Sequence, residues 1–370
     1  MGVVKTAEHK FKALFFWLLK VFLRKGNPNL IPLDASQIGK ILVLRPDKLG
    51  DIIISLPVFD SLKKHFPHIQ ISLLASNRNK VVVENDTRFQ KIYLYQKKPS
   101  ADIKTIRQLR KEKFDCVIDL VCQDSVTLLF LTQIITPRKP RIGLNKTQFA
   151  KYYDYNDPLN PNETTQITDK TLRVLNAFGI DSRNESGFAK PFLTDYELVF
   201  GKQTISSLRD SDETKIIGYN LSAGAPNRVW AIEKSIGLLK SIYSLYPKYK
   251  ILLFTAPDER VKAEEVHRAI PDNSSIIPEN LNLMSVTALI KYLDLLITPD
   301  TSLVHIARSF EIPVIGLYSN NMKNYNLWRP YKQDIGAINS NDNDNIYDIT
   351  VEQVLSMLKK MIEQGKLVTS

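Results

Sequence analysis

The feature that most restricts this chain is a twice-repeated alternation of short β-branched runs with stretches of helical period. Residues 293–319, LDLLITPDTSLVHIARSFEIPVIGLYS, are its clearest instance. Leu295, Leu296 and Ile297 read as a strand core, 298–302 as a turn rich in helix-capping residues, 303–310 as two helical turns and 313–318 as a second buried strand. A β-α-β unit of this kind makes parallel strands, and parallel strands need helices on both faces of the sheet. It also aims the helix N-terminus, with free backbone N–H groups and a favourable dipole, at the crevice beyond the strand ends, which suits a phosphate.

The first series of the alternation starts at the strand 40–44. It continues through 69–74, 79–84, 92–95, 103–113, 116–120, 125–135 and 141–143. Residues 52–66 are expected as one amphipathic helix despite Pro57, 156–162 as irregular, 167–178 as helix and 179–190 as a linker. After a helix over 196–208, the second series places strands at 216–221, 251–254 and 275–277, and helices at 234–246, 258–270 and 285–293. The expected organisation is a basic amphipathic N-terminal helix within 1–30 and doubly wound α/β domains over 38–185 and 210–345. A C-terminal helix over 350–365 is a candidate to pack back across both domains. At 370 residues the chain is large enough for two cores.

Charge is unevenly placed. Residues 1–100 hold 13 Lys and 4 Arg against 7 Asp and Glu, so +10 of the total +11 lies there. This points to an anionic partner: membrane phospholipid, a phosphorylated glycolipid or nucleic acid. The last is disfavoured, because no nucleic-acid-binding signature is present. In 10–25, KFKALFFWLLKVFLRK, the longest apolar run is 13–19, short of the ~20 residues of a membrane span. No small-residue cleavage site follows it. On a helical wheel Lys10, Lys12, Lys20 and Arg24 share one side, with Phe11, Leu14, Phe15, Leu18, Val21 and Phe22 opposite. That pattern suits a helix lying in a membrane interface, and docking on the protein's own core is the alternative. Two cysteines without a CxxC and five unclustered histidines indicate neither a disulfide framework nor a zinc site, and fit a reducing cytoplasm.

Several side chains stand where α/β sheets place ligands. Asp51 follows Gly50 at a helix start beyond the first strand, where a carboxylate either takes a proton from a hydroxyl or caps the helix. The loop 222–230, SAGAPNRVW, offers small residues, among them Ser222 and Gly224, whose backbone N–H groups suit a diphosphate that Arg228 would neutralise. Its bland alternative is an ordinary βα loop with Trp230 in the core. Asp300 beside a diphosphate would repel it, so this carboxylate is expected to cap the helix or bind sugar hydroxyls. His305, one turn on, is either structural or within reach of a phosphate oxygen. Glu259 either accepts ribose hydroxyls or sits at a helix N-terminus favoured by the dipole. No GxGxxG follows a strand and no GxxxxGK[ST] occurs, which removes the standard dinucleotide and P-loop readings. Asp47 and Asp51 are an isolated pair, and no metal site is expected.

Three segments in order resemble glycosyltransferase family 9, the ADP-heptose:lipopolysaccharide heptosyltransferases. They are KILVLRPDKLGDIIISLPVFDSLKKHFPHIQISLLAS at 40–76, LSAGAPNRVWAIEKSIGLL at 221–239 and LITPDTSLVHIARSFEIPVIGLYS at 296–319. The resemblance implies a GT-B fold, two Rossmann-like domains facing a central cleft, and an inverting, metal-independent transfer without a cofactor, ADP-heptose being a co-substrate. It implies Asp51 as the general base, and Ser222, Gly224, Arg228, Glu259, Asp300, Thr301, Ser302 and His305 as donor-binding residues. Arg45 and Lys48 would meet the acceptor, an anionic inner-core glycolipid. The enzyme would then work in the cytoplasm, held peripherally by its N-terminal helix on the inner face of the membrane. The chain departs from the family pattern at Ser302, where glycine is usual, at Arg228 for Lys and at Ala231 for Pro. A related GT-B enzyme with another nucleotide sugar or a polypeptide acceptor, and an inactive membrane-surface binding module, are the rival readings.

Overall fold

The computed structural model describes residues 23–158 and 164–367, so most of the expected N-terminal amphipathic helix lies outside the described residues. The chain divides into two units, Met1–Glu163 with Thr168–Gly187, and Thr164–Ile167 with Phe188–Ser370.

The first unit carries β1 (Lys40–Leu44), β2 (Gln70–Ser76), β3 (Phe89–Tyr95), β4 (Cys116–Asp119), β5 (Arg141–Leu144) and β6 (Tyr155–Asp157). They form one parallel sheet in the order β3-β2-β1-β4-β5-β6. β1 is central because KILVL is apolar without alternation: Ile41 to Leu44 are buried, with Ile41 set between Ile71 and Cys116.

The second unit carries β7 (Lys215–Asn220), β8 (Tyr249–Phe254), β9 (Ser274–Ile276), β10 (Leu295–Pro299), β11 (Val314–Tyr318) and β12 (Ala337–Asn339). Its parallel sheet runs β12-β11-β10-β7-β8-β9. Numbered within its own unit, each sheet has the doubly wound order 3-2-1-4-5-6. Strand order therefore reverses between β1 and β4 in one unit and between β7 and β10 in the other. The crevice beyond the strand ends at such a reversal is where this architecture receives ligands.

The helical face of the second unit is closed by Val351–Glu363, headed by a capping box of Thr350 and Gln353. Val354, Leu358 and Met361, spaced for one helical face, are buried with Leu238, Leu239 and Ile242 of the helix Ile232–Leu245. Each such burial contributes about 1.5–3 kcal/mol.

Several expectations are corrected. Residues 52–66 form two helices, Leu49–Ile53 and Leu56–His65, because Pro57 has no N–H to bond the carbonyl one turn back and fits only in a first turn. Part of the stretch expected as irregular is the edge strand β6, which pairs Tyr155 with Ile142. The helix over 167–178 is α-helical at Ile167–Leu172 and tightens to 3₁₀ over Arg173–Phe178, ending at Gly179 with φ 76°. Arg24, placed above on the basic side of the N-terminal helix, lies with Nη2 2.9 Å from buried Asp154 Oδ2, and Leu23 packs among Leu129, Phe149 and Tyr152. Among the described residues no helix is long and apolar enough to cross a membrane.

Candidate functional site

Beyond β1 the chain turns through Arg45, Pro46, Asp47 and Lys48 into the helix Leu49–Ile53. Arg45 is 1% exposed. Its Nε donates to the Asp51 carbonyl at 3.0 Å, and Nη1 donates to the Leu120 carbonyl at the end of β4. Nη1 also lies 3.1 Å from Asp47 Oδ2, and Nη2 3.5 Å from Asp51 Oδ1. This buried guanidinium ties together the two strand ends at the reversal. Arg45, expected at the acceptor, is in this structure a buried clamp beneath the loop. Lys48, by contrast, is exposed.

Of the two roles considered for it, Asp51 occupies the helix-start one in this structure. Its Oδ2 accepts from the Lys48 backbone N–H at 3.2 Å, while Oδ1 faces Arg45. The Ser55 hydroxyl donates to its carbonyl at 2.7 Å, which steadies the short helix before the break at Pro57. Burial pushes the Asp47 carboxyl up to about 6, with Arg45 pulling it down and Asp51 adding to the rise.

A second set of charges at this reversal escaped the sequence reading. Asp119, the last residue of β4, and Lys146 are both fully buried, with Lys146 Nζ 2.9 Å from Asp119 Oδ2. The Tyr153 hydroxyl donates to the same oxygen at 2.7 Å, and burial raises its pKa well above the ordinary tyrosine value. Lys146 also donates to the carbonyls of Val121 at 2.6 Å and Gln123 at 3.0 Å. The available signal was an acid closing the otherwise apolar strand CVID.

The second unit's reversal is built differently. Asn220, at the end of β7, donates from Nδ2 to the Ser222 carbonyl and to Thr298 Oγ1, both at 2.9 Å, joining β7 to β10. Ser222 Oγ accepts from the Ala256 N–H at 2.7 Å. A cavity of about 600 Å³ opens there, lined by Ser222, Gly224 and Thr301, by the apolar Ile277, Leu281 and Val286, and by the charged Arg260 and Glu279. A Cβ placed on Gly224 would meet nothing within 4 Å.

Beside these groups, Arg228 Nη1 lies 2.8 Å from Asp300 Oδ2, and Asn324 Nδ2 donates to the same oxygen at 3.2 Å. Asp300 is therefore charge-compensated and does not cap the helix Ser302–Ser309. That role falls to Thr301, whose Oγ1 accepts from the Leu303 N–H at 3.3 Å. Ser302 opens the helix. His305 is 9% exposed and packs edge-on against Trp328, ring centroids 5.5 Å apart. Glu259 precedes the helix Arg260–Ala269 and pairs with Lys262. Burial raises its pKa, but hydrogen bonds from Lys262 and Ser222 outweigh this and hold it below the usual range. Trp230 is buried and donates from Nε1 to the Ile349 carbonyl at 3.0 Å, a core role.

The sequence profile of glycosyltransferase family 9 (heptosyltransferase) matches residues 103–356. A lipopolysaccharide heptosyltransferase 1 of Campylobacter coli is 26% identical over 292 residues, covering 75% of this chain and 83% of its own length. Among solved structures, a family 9 glycosyl transferase of Veillonella parvula has a TM-score of 0.73 at 21% identity, over 88% of this chain and 98% of that one. An E. coli heptosyltransferase solved with ADP has a TM-score of 0.69 at 12% identity, over 89% of this chain and 100% of that one. At these identities the structural likeness shows a shared fold.

Proposed function

The chain belongs to glycosyltransferase family 9, and from that premise we propose that it moves a heptosyl group from ADP-heptose to an anionic sugar of a lipopolysaccharide inner core. The observation that carries this reading is the cavity at the reversal of the second sheet, lined by apolar side chains together with Ser222, Gly224 and Thr301. Its size falls within the range of small-molecule sites, and its apolar lining suits a nucleoside. The loop that follows β7 and the N-terminus of the helix Ser302–Ser309 then meet the diphosphate.

In this reading the Asp51 carboxylate removes the proton of the acceptor hydroxyl as that oxygen bonds to the anomeric carbon. The bond from that carbon to the diphosphate oxygen breaks, ADP leaves with the electron pair, and configuration inverts. Arg228 turns from Asp300 to the phosphates and stabilises the charge that grows on ADP, in place of a metal ion. Asp300, released from Arg228, accepts from sugar hydroxyls, Glu259 does so from ribose, and His305 lines the donor side. Lys48 meets an acidic group of the acceptor. The cationic first hundred residues hold the enzyme at the cytoplasmic membrane surface.

The test is ADP release from ADP-heptose with purified truncated lipopolysaccharides as acceptors. Release with at least one of them is expected. Failure with every core acceptor, while another nucleotide sugar is consumed, would overturn the donor assignment.

A further inference from the structure

The first unit's half-site holds one more carboxylate than the transfer uses. Arg45, almost wholly buried, faces both Asp47 and Asp51, at 3.1 Å and 3.5 Å. Its remaining hydrogen bonds go to the carbonyls of Asp51 and Leu120. Arg45 Nη2 and Asp47 Oδ1 are each buried without a hydrogen-bond partner. Buried polar atoms are rarely left open, and exceptions concentrate where a group must change partner or proton state.

We propose that Asp47 is a positioning residue for the transfer: it shares Arg45 with Asp51 and so sets how firmly the guanidinium holds the Asp51 carboxylate. This rests on the reading of Asp51 as the base. While Asp47 is ionised, Arg45 is divided between two carboxylates and Asp51 keeps its affinity for the acceptor's proton. When Asp47 takes a proton, the guanidinium acts on Asp51 alone, and a carboxylate held by an undivided arginine is a poorer base. Asp47 makes and breaks no bond to substrate.

The other groups facing Asp47 leave this competition intact. Asp119 approaches from β4, but Lys146 and Tyr153 are bound to it. Cys122, beyond β4, is a neighbour whose thiol burial pushes up. The Ser76 hydroxyl binds the Asp47 carbonyl at 3.0 Å and leaves the carboxylate alone. Asp47 changes charge near pH 6, within the range where a transferase can be assayed.

The experiment is the pH profile of kcat and kcat/KM for the full chain and for Asp47→Asn, Asp47→Glu and Asp51→Asn. The wild type is expected to gain activity as pH rises through about 6. Asp47→Asn should lose that rise and run about tenfold lower in kcat at neutral pH, the equivalent of one pK unit, with donor KM little changed. Asp47→Glu should recover most of the rate with the rise moved to higher pH. A wild-type profile in Asp47→Asn overturns the proposal. If Asp47→Asn does not fold, Asp47→Glu decides, because an unmoved profile there refutes the same claim. Asp51→Asn separates the two readings: turnover surviving in it removes the base assignment, whatever Asp47 does.

Discussion

The two strand reversals share one topology and have opposite interiors. At β1/β4 the crevice is filled with charge: Arg45, Asp47 and Asp51 in one cluster, Asp119, Lys146 and Tyr153 in the next, most of them buried. At β7/β10 the crevice is open, lined mainly by apolar side chains and small neutral groups, with Arg260 and Glu279 among them, and the neighbouring Arg228–Asp300 pair leaves Arg228 40% exposed. A strand order fixes where a ligand can sit, while the loops decide what is done there. A preorganised, desolvated charge cluster suits proton transfer, and an open cavity suits binding a bulky donor.

The sharpest way to break this contrast is Lys146→Met. It leaves Asp119 buried with no cation, and such losses cost about 3–5 kcal/mol. Urea unfolding should show it, whereas an equal cut at the second reversal should leave stability nearly unchanged. Next is Asp51→Asn, expected to lower kcat by about 10²–10⁴ with ADP-induced thermal stabilisation retained. Equal losses of turnover and of ADP response would place Asp51 with the donor instead. Arg228→Ala should do the reverse, weakening ADP about 10- to 100-fold as a charge-assisted contact is lost. Its stability should hardly move, since half-exposed pairs contribute about 0–1 kcal/mol. The smallest effect is expected for Gly224→Ala: a methyl group there is accommodated in the free protein, so any change should appear as a modestly weaker response to ADP alone.

Much of the fold was legible because central parallel strands are apolar on both faces. KILVL, KIIGYN and LLITP announce themselves, and the helices that follow them imply parallel pairing. β6 and β12, three residues each at sheet edges, are held by backbone pairing and carry no such signal. The helix Met322–Trp328, seven residues with none buried, was missed because so short a segment shows no helical period.

Local sequence also placed the candidate site. A Gly-Asp turn after the first strand, a small-residue loop after β7 and Asp-Thr after β10 all lie at the reversals, because strand ends and helix starts are short-range features. What only the tertiary structure decided is which charges are used up by their neighbours. Arg45 reads as a surface cation until Leu120, 75 residues later, accepts from it. Asp119, Lys146 and Tyr153 are ordinary residues until folding buries them together. Burial and long-range pairing set the electrostatics of a site, and neither is written in the spacing of residues along the chain.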